Sequence, residues 1–125
     1  MRKVELRAME QMLADIHLQS TNYGFMCNRE SKDLIGDMTL DEYTELVIRN
    51  NQFASGSRHH FYNDEDTAFY YVTYSATIDG KDFGYFVATF ISDDYYYVIN
   101  FFCLQKNLDK YNEQFMKWTK TIRVS

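Results

Sequence analysis

The chain has no proline, only two cysteines and three histidines, and fewer basic than acidic residues. Without proline there is no proline-rich linker to divide its 125 residues, and a chain of that size has room for one core. Cys27 and Cys103 are too few for a disulfide scaffold and lack the C-x-x-C spacing of zinc or redox sites. Both sit in apolar runs and read as buried free thiols. Thirteen Lys and Arg against eighteen Asp and Glu leave a net charge of −5, which argues against nucleic acid as a partner because a phosphate backbone demands a basic face. No stretch near the N-terminus is continuously apolar. The segment MRKVELRAMEQMLADIHL carries acids within its periodic pattern, so it is neither a signal peptide nor a membrane span. As written the chain reads as soluble. If an export signal was trimmed it is extracytoplasmic, and otherwise cytoplasmic.

Catalytic words are equally scarce. There is no G-x-S-x-G, no P-loop and no G-x-G-x-x-G, and neither cysteine has the context of a nucleophile. His59 and His60 are adjacent, and neighbours on a strand point to opposite faces, so the pair cannot chelate one ion. His17 stands alone on an expected helix. The acids of Asn63-Asp64-Glu65-Asp66 and of Ser92-Asp93-Asp94 fall in turns and lack the ligand spacing of a calcium loop. The sequence therefore calls for no catalytic residue, no metal and no cofactor.

What is abundant is aromatic: eleven Tyr and ten Phe in a chain that is 46% hydrophobic, a composition that favours covered β structure. Acidity is concentrated in the middle. Residues 21–104 hold five basic groups against thirteen acidic, whereas residues 105–125 hold five against two.

Val4, Ala8, Met9, Met12, Leu13 and Ile16 recur at helical spacing and predict an amphipathic helix within residues 1–20. Tyr23 to Arg29 reads as a short strand. Thr39-Leu40-Asp41-Glu42 matches a capping box that opens a second helix, with Met38 and Tyr43 placed as a hydrophobic staple and Tyr43, Leu46, Val47 and Asn50 on one face. Strands follow at Arg58–Tyr62 and Ala68–Ile78. Asp79-Gly80 then supplies a type I′ turn, because both central residues of that turn need positive φ. That turn puts Ile78 opposite Lys81, Tyr74 opposite Tyr85 and Val72 opposite Val87. A three-residue loop at Ser92-Asp93-Asp94 would put Val87 opposite Ile99 and Tyr85 opposite Phe101. Leu108, Tyr111, Phe115, Trp118 and Ile122 mark a last helix with Asn107 as its N-cap, and Arg123-Val124-Ser125 follows as an extended tail.

Both faces of the expected sheet are apolar, so helices must cover both. The fold expected is α+β: a single domain, residues 1–125, built as a three-layer α/β/α sandwich around a central, mainly antiparallel sheet with an additional N-terminal helix.

Four stretches, TLDEY (39–43), the hairpin about Ile78-Asp79-Gly80-Lys81, YYYVINFFC (95–103) and FMKWTKTIRV (115–124), resemble the PsbP/Mog-type fold superfamily over residues 23–125. The resemblance implies the same sandwich and a binding or assembly role in a bacterial cell, envelope-associated in many members, with no catalytic residues to carry over. This chain departs from that pattern in its long helix before the first strand and its lack of a visible export signal.

The function expected is thus a non-enzymatic protein-binding or assembly module, with Tyr70, Tyr71, Tyr95 and Tyr96 as candidates for the binding surface. Two alternatives stand beside it. One is a small-ligand carrier whose cleft is lined by those four and Tyr97. The other is an acidic immunity or inhibitor protein for a basic target. The partner expected is another protein, and an uncovered edge strand would also allow a homodimer. In SDDYYYVINFFC the three consecutive tyrosines alternate between faces, so recognition through them is confined to the turn-proximal end at Tyr95 or Tyr96.

Overall fold

The computed structural model describes residues 23–124. The helix expected within residues 1–20, and His17 with it, lie outside the described residues. Along the chain come β1 (Tyr23–Ser31), α1 (Lys32–Ile35), α2 (Leu40–Asn50), β2 (His60–Asn63), β3 (Ala68–Ile78), β4 (Lys81–Ile91), β5 (Tyr95–Leu104), a 3-10 turn (Gln105–Asn107) and α3 (Leu108–Lys120). The strands form one antiparallel sheet in the order β1-β5-β4-β3-β2, and with its few helices the architecture is mixed α+β.

The hairpin register follows from its turn. Asp79 and Gly80 take φ of 52° and 78°, and Ile78 faces Lys81, Tyr74 faces Tyr85 and Val72 faces Val87 as the Asp-Gly pair requires. The next register differs from expectation by one residue. Ser92, just past the end of β4, is bonded to Tyr95 and leaves Asp93 and Asp94 as the turn: its N–H donates to the Tyr95 carbonyl at 2.9 Å and its Oγ accepts from the Tyr95 N–H at 3.2 Å. Val87 therefore faces Asn100 and Tyr85 faces Phe102. Side chains alternate with period two, so this single step moves Ile99 and Phe101 off the Val87 face and brings Tyr96, Val98, Asn100 and Phe102 onto it.

The capping box forms as read. Thr39 Oγ1 accepts from the Glu42 N–H at 3.1 Å, and Glu42 Oε1 accepts from the Thr39 N–H at 2.9 Å. The face that α2 turns to the sheet is shifted, however. Tyr43, Thr44 and Ile48 are buried, while Leu46 and Val47 are half-exposed. A threonine tolerates that position because its hydroxyl donates to the Leu40 carbonyl at 2.7 Å and lies 2.7 Å from Thr89 Oγ1, leaving no buried polar group unpaired there.

Residues on the two sides of the sheet belong to separate clusters. Phe86, Phe90, Ile99 and Phe101 pack with Phe115, Trp118 and Ile122 of the C-terminal segment, whereas Val72 and Val87 pack with Ile48 and Ala54. Burying each large apolar side chain contributes about 1.5–3 kcal/mol, so the aromatic-rich α3 side supplies most of the core. Asn107 stands at the cap position of α3 without a side-chain capping bond. The extended tail expected after α3 forms no strand at its described residues, Arg123 and Val124. Arg123 Nη1 turns back to donate to the carbonyls of Lys120 at 2.8 Å and Ile122 at 2.9 Å, which curls the chain against its own helix end.

Candidate functional site

The four tyrosines singled out by sequence do not meet. Tyr70 and Tyr96 stand on the α2 side of the sheet, Tyr71 and Tyr95 on the α3 side, as the alternation of β3 and β5 dictates. Tyr70 packs on Phe61 and His59 with ring centroids 4.8 and 5.3 Å apart, and Tyr71 stacks on Phe86. Arg29 sits 4.2 Å over the ring of Tyr95. Tyr96 is wholly buried and acts as a pin: its hydroxyl accepts the Met38 N–H at 2.7 Å and lies 3.1 Å from the carbonyls of Gly36 and Met38. It ties the loop before α2 to the sheet, and its ring stacks on Tyr43 at 4.3 Å. Tyr97 is buried with the α3 cluster, so the five tyrosines share no single cleft.

The histidines point apart, although only His60 belongs to β2 and His59 stands in the connector before it. His59 contacts Asp41 and lies 3.3 Å from Glu45, both on α2, while His60 lies against Tyr71 of the other side. His59 therefore fastens the connector after α2 back onto that helix. Among the described residues no three His, Cys, Asp or Glu side chains are grouped to hold a metal ion. Both cysteines are free, and burial pushes each thiol up to about 11, well away from a reactive thiolate at neutral pH.

The surface that stands out lies elsewhere on the α2 side. There α2 lies over β3 and β4, and it reaches β1 and β5 through Tyr43, which bonds Glu30 and stacks on Tyr96. Phe25 and Cys27 of β1 pack against the α3 cluster on one side, whereas Met26 on the other is 55% exposed. Beside it α2 and the β1 edge enclose a cleft of about 410 Å³, with Val98 in its floor, Tyr43, Leu46 and Val47 in its wall, and Asn28 and Glu30 at its rim. The Tyr43 hydroxyl donates to Glu30 and closes one end. Burial first, then this bond to a carboxylate, holds the Tyr43 phenol far above its ordinary value, so it serves as a clamp and not as a base.

Toward the other end the cleft opens on an aromatic row. Tyr74, Tyr85, Phe102 and Gly24 are direct cross-strand partners on four successive strands. Tyr74 and Tyr85 stack at 4.9 Å, Phe102 follows at 6.1 Å, and the Phe102 ring lies over Gly24, where any side chain would overlap it. Asn51 joins cleft and row, since it lines the first and its Nδ2 donates to the Tyr74 hydroxyl at 2.8 Å. Between them Asn100, flanked by Met26 and Val87, keeps a buried Oδ1 with no hydrogen-bond partner among the described residues. That oxygen has almost no accessible surface, and Asn100 is not among the residues that line the cleft.

Sequence reasoning missed Met26, Asn100 and Phe102. Gly24 beside a β5 aromatic was the available signal, because a glycine within a strand marks a close approach from a neighbour. A second depression of about 650 Å³ at the hairpin end is rimmed by Lys81, Lys106, Asp82 and Asp109, two charges of each sign, and has no comparable apolar floor. No helix among the described residues is long and apolar enough to cross a membrane. No protein-family model matches the chain, and neither does any curated protein.

Proposed function

We propose that the protein is a non-enzymatic binding or assembly module that receives another protein in the groove beside α2. In this reading the molecule is a three-layer sandwich of the kind found in the PsbP/Mog-type superfamily, with α2 and α3 as its outer layers. Among the described residues one of those layers is incomplete. A five-stranded sheet is about 24 Å wide and a helix with its side chains about 10 Å, so a single helix leaves roughly half of a face uncovered.

The observation that carries the reading is the exposure of Met26 at the end of an apolar floor formed by Val98, Phe102 and Tyr85, while the residues on either side of Met26 in sequence are packed on the opposite face. Contiguous exposed apolar surface next to a cleft marks a place where another molecule sits. The groups around it are amides, one carboxylate and phenols, which suit recognition and lack a nucleophile with an activating base.

The test is a photo-crosslinking side chain placed at position 26 and, in a second variant, at position 73 on the other side of the sheet, each expressed in the native cell. A discrete protein adduct at 26 and none at 73 is the expected result. Adducts at 73 alone, or equal labelling at both, would refute this placement.

A further inference from the structure

The outer edge of β1 is half of a strand ladder. Its residues, Tyr23–Ser31, pair with β5 in one unbroken register, from Tyr23 opposite Cys103 to Ser31 opposite Tyr95, and among the described residues no strand lies beyond them. The other edge of the sheet is divided, since β2 has four residues and covers only Ala68 to Tyr71 of β3. β1 also lacks the proline and the bulge by which edge strands block further pairing.

Alternation assigns each backbone group of β1 to one side. In an antiparallel pair, directly opposed residues alternate between exchanging both hydrogen bonds and exchanging none. The Lys32 N–H donates to the Asp94 carbonyl at 2.9 Å, one step beyond the last pair of the register, so Glu30, Asn28, Met26 and Gly24 turn their backbone groups to β5. The bond from the Ser92 N–H to the Tyr95 carbonyl gives the same parity from the other strand, because it commits the odd-numbered residues of β5 to β4. The N–H and C=O groups of Phe25, Cys27 and Arg29 therefore point out of the sheet edge, a row of alternating donors and acceptors. No backbone bond between described residues outside the strand ladders reaches them.

A second copy of the same strand fits this row. Laid antiparallel on itself about a two-fold axis at Cys27, its middle residue, β1 overlaps along its whole length. Cys27 then meets Cys27 of the second copy and Phe25 meets Arg29, so each outward group from Phe25 to Arg29 gains a partner. An axis at Met26 or Asn28 would leave an overhang on each strand. With the axis at Cys27, Met26 stands opposite Asn28 and Glu30 opposite Gly24, so no like charges oppose one another although each chain is acidic overall. Met26, 55% exposed beside this edge, gains cover from the added strand.

We infer that the protein forms a two-fold symmetric dimer in which β1 pairs with β1 of a second copy, joining the two sheets into one. The seam uses backbone groups in the plane of the sheet, whereas the groove beside α2 uses side chains on its face. The dimer therefore stands or falls apart from the reading of that groove, and a crosslink from position 26 to a second copy is recognised by its doubled chain mass.

Sedimentation velocity and amide exchange on the full chain, from about 1 to 300 µM, test the seam. A monomer–dimer equilibrium is expected, with the amides of Phe25, Cys27 and Arg29 becoming at least about tenfold more protected as dimer accumulates. Those of Met26 and Asn28, already bonded to β5, should change little. Arg29→Pro removes an outward N–H that one chain alone does not use, so it should keep its circular dichroism and weaken the dimer at least about tenfold, whereas Asn28→Pro should disrupt β1 itself. A chain that is monomeric at every concentration overturns the dimer. A dimer whose three outward amides stay unprotected overturns the seam, and protection that is independent of concentration overturns a second copy as the occupant of the edge. If Arg29→Pro unfolds as Asn28→Pro does, the outward assignment of these groups is wrong.

Discussion

Gly24→Ala is a small substitution with a consequence set by the aromatic row. A methyl group at position 24 would overlap the ring of Phe102, its direct partner on β5, so the ring must leave its place beside Tyr85. Phe102 is half-exposed and can swing toward solvent, which puts the cost at the ordinary level for overpacking, about 1–3 kcal/mol. For a domain of this size each kcal/mol corresponds to a fall in Tm of about 4 °C. Phe102→Ala alone removes the ring and its contact with Tyr85, and also destabilises. In the double variant the new methyl enters space the ring has vacated, so the two effects should not add. A coupling of about 1–2 kcal/mol is expected from urea denaturation of the wild type, both single variants and the double variant, at constant m-value. Additivity to within about 0.5 kcal/mol would show that Phe102 does not lie over Gly24, and would remove one end of the groove floor.

Tyr96→Phe keeps the stack on Tyr43 but removes the hydroxyl that holds the Met38 N–H, so stability should fall by about 1–3 kcal/mol and amide exchange at Met38 should accelerate; unchanged exchange there would contradict the pin. Both thiols, raised by burial from 9.0 to about 11, should alkylate slowly at pH 8, where only about 0.1% is thiolate, with a rate that still climbs at pH 10. A rate that levels off by pH 9 would refute the shift. Because the unfolded chain surrenders those thiol protons first, their contribution to stability is complete below pH 9 and is lost as pH rises toward 11.

Local chemistry was the most legible part of the sequence. The Asp79-Gly80 turn determines its hairpin register through positive φ, and Thr39 with Glu42 determines a helix start through reciprocal hydrogen bonds; both depend on neighbours a few residues away. Ser92 was harder, because a serine preceding two aspartates suits either a turn or a strand end, and its bonds to Tyr95 decide the matter. That choice then moved every β5 side chain across the sheet. The groove was illegible for a different reason. Its existence depends on where α2 crosses the strands, and a helix periodicity such as Tyr43, Leu46, Val47 and Asn50 says which residues are apolar without saying which strands they cover. The tyrosine run drew attention to one end of β5, while the open aromatic surface is made by Phe102 at the other end, together with Tyr74 and Tyr85 from strands far away in sequence.

Methyl NMR of the protein bound to the partner captured through position 26 tests the location of binding most directly. Occupation of the groove should shift the methyl signals of Met26, Val98, Leu46 and Ile35 and leave those of Ile122 and Met116, on the α3 side, in place. Shifts confined to Ile122 and Met116, with Met26 and Val98 unmoved, would contradict the assignment of the groove as the surface that receives the partner.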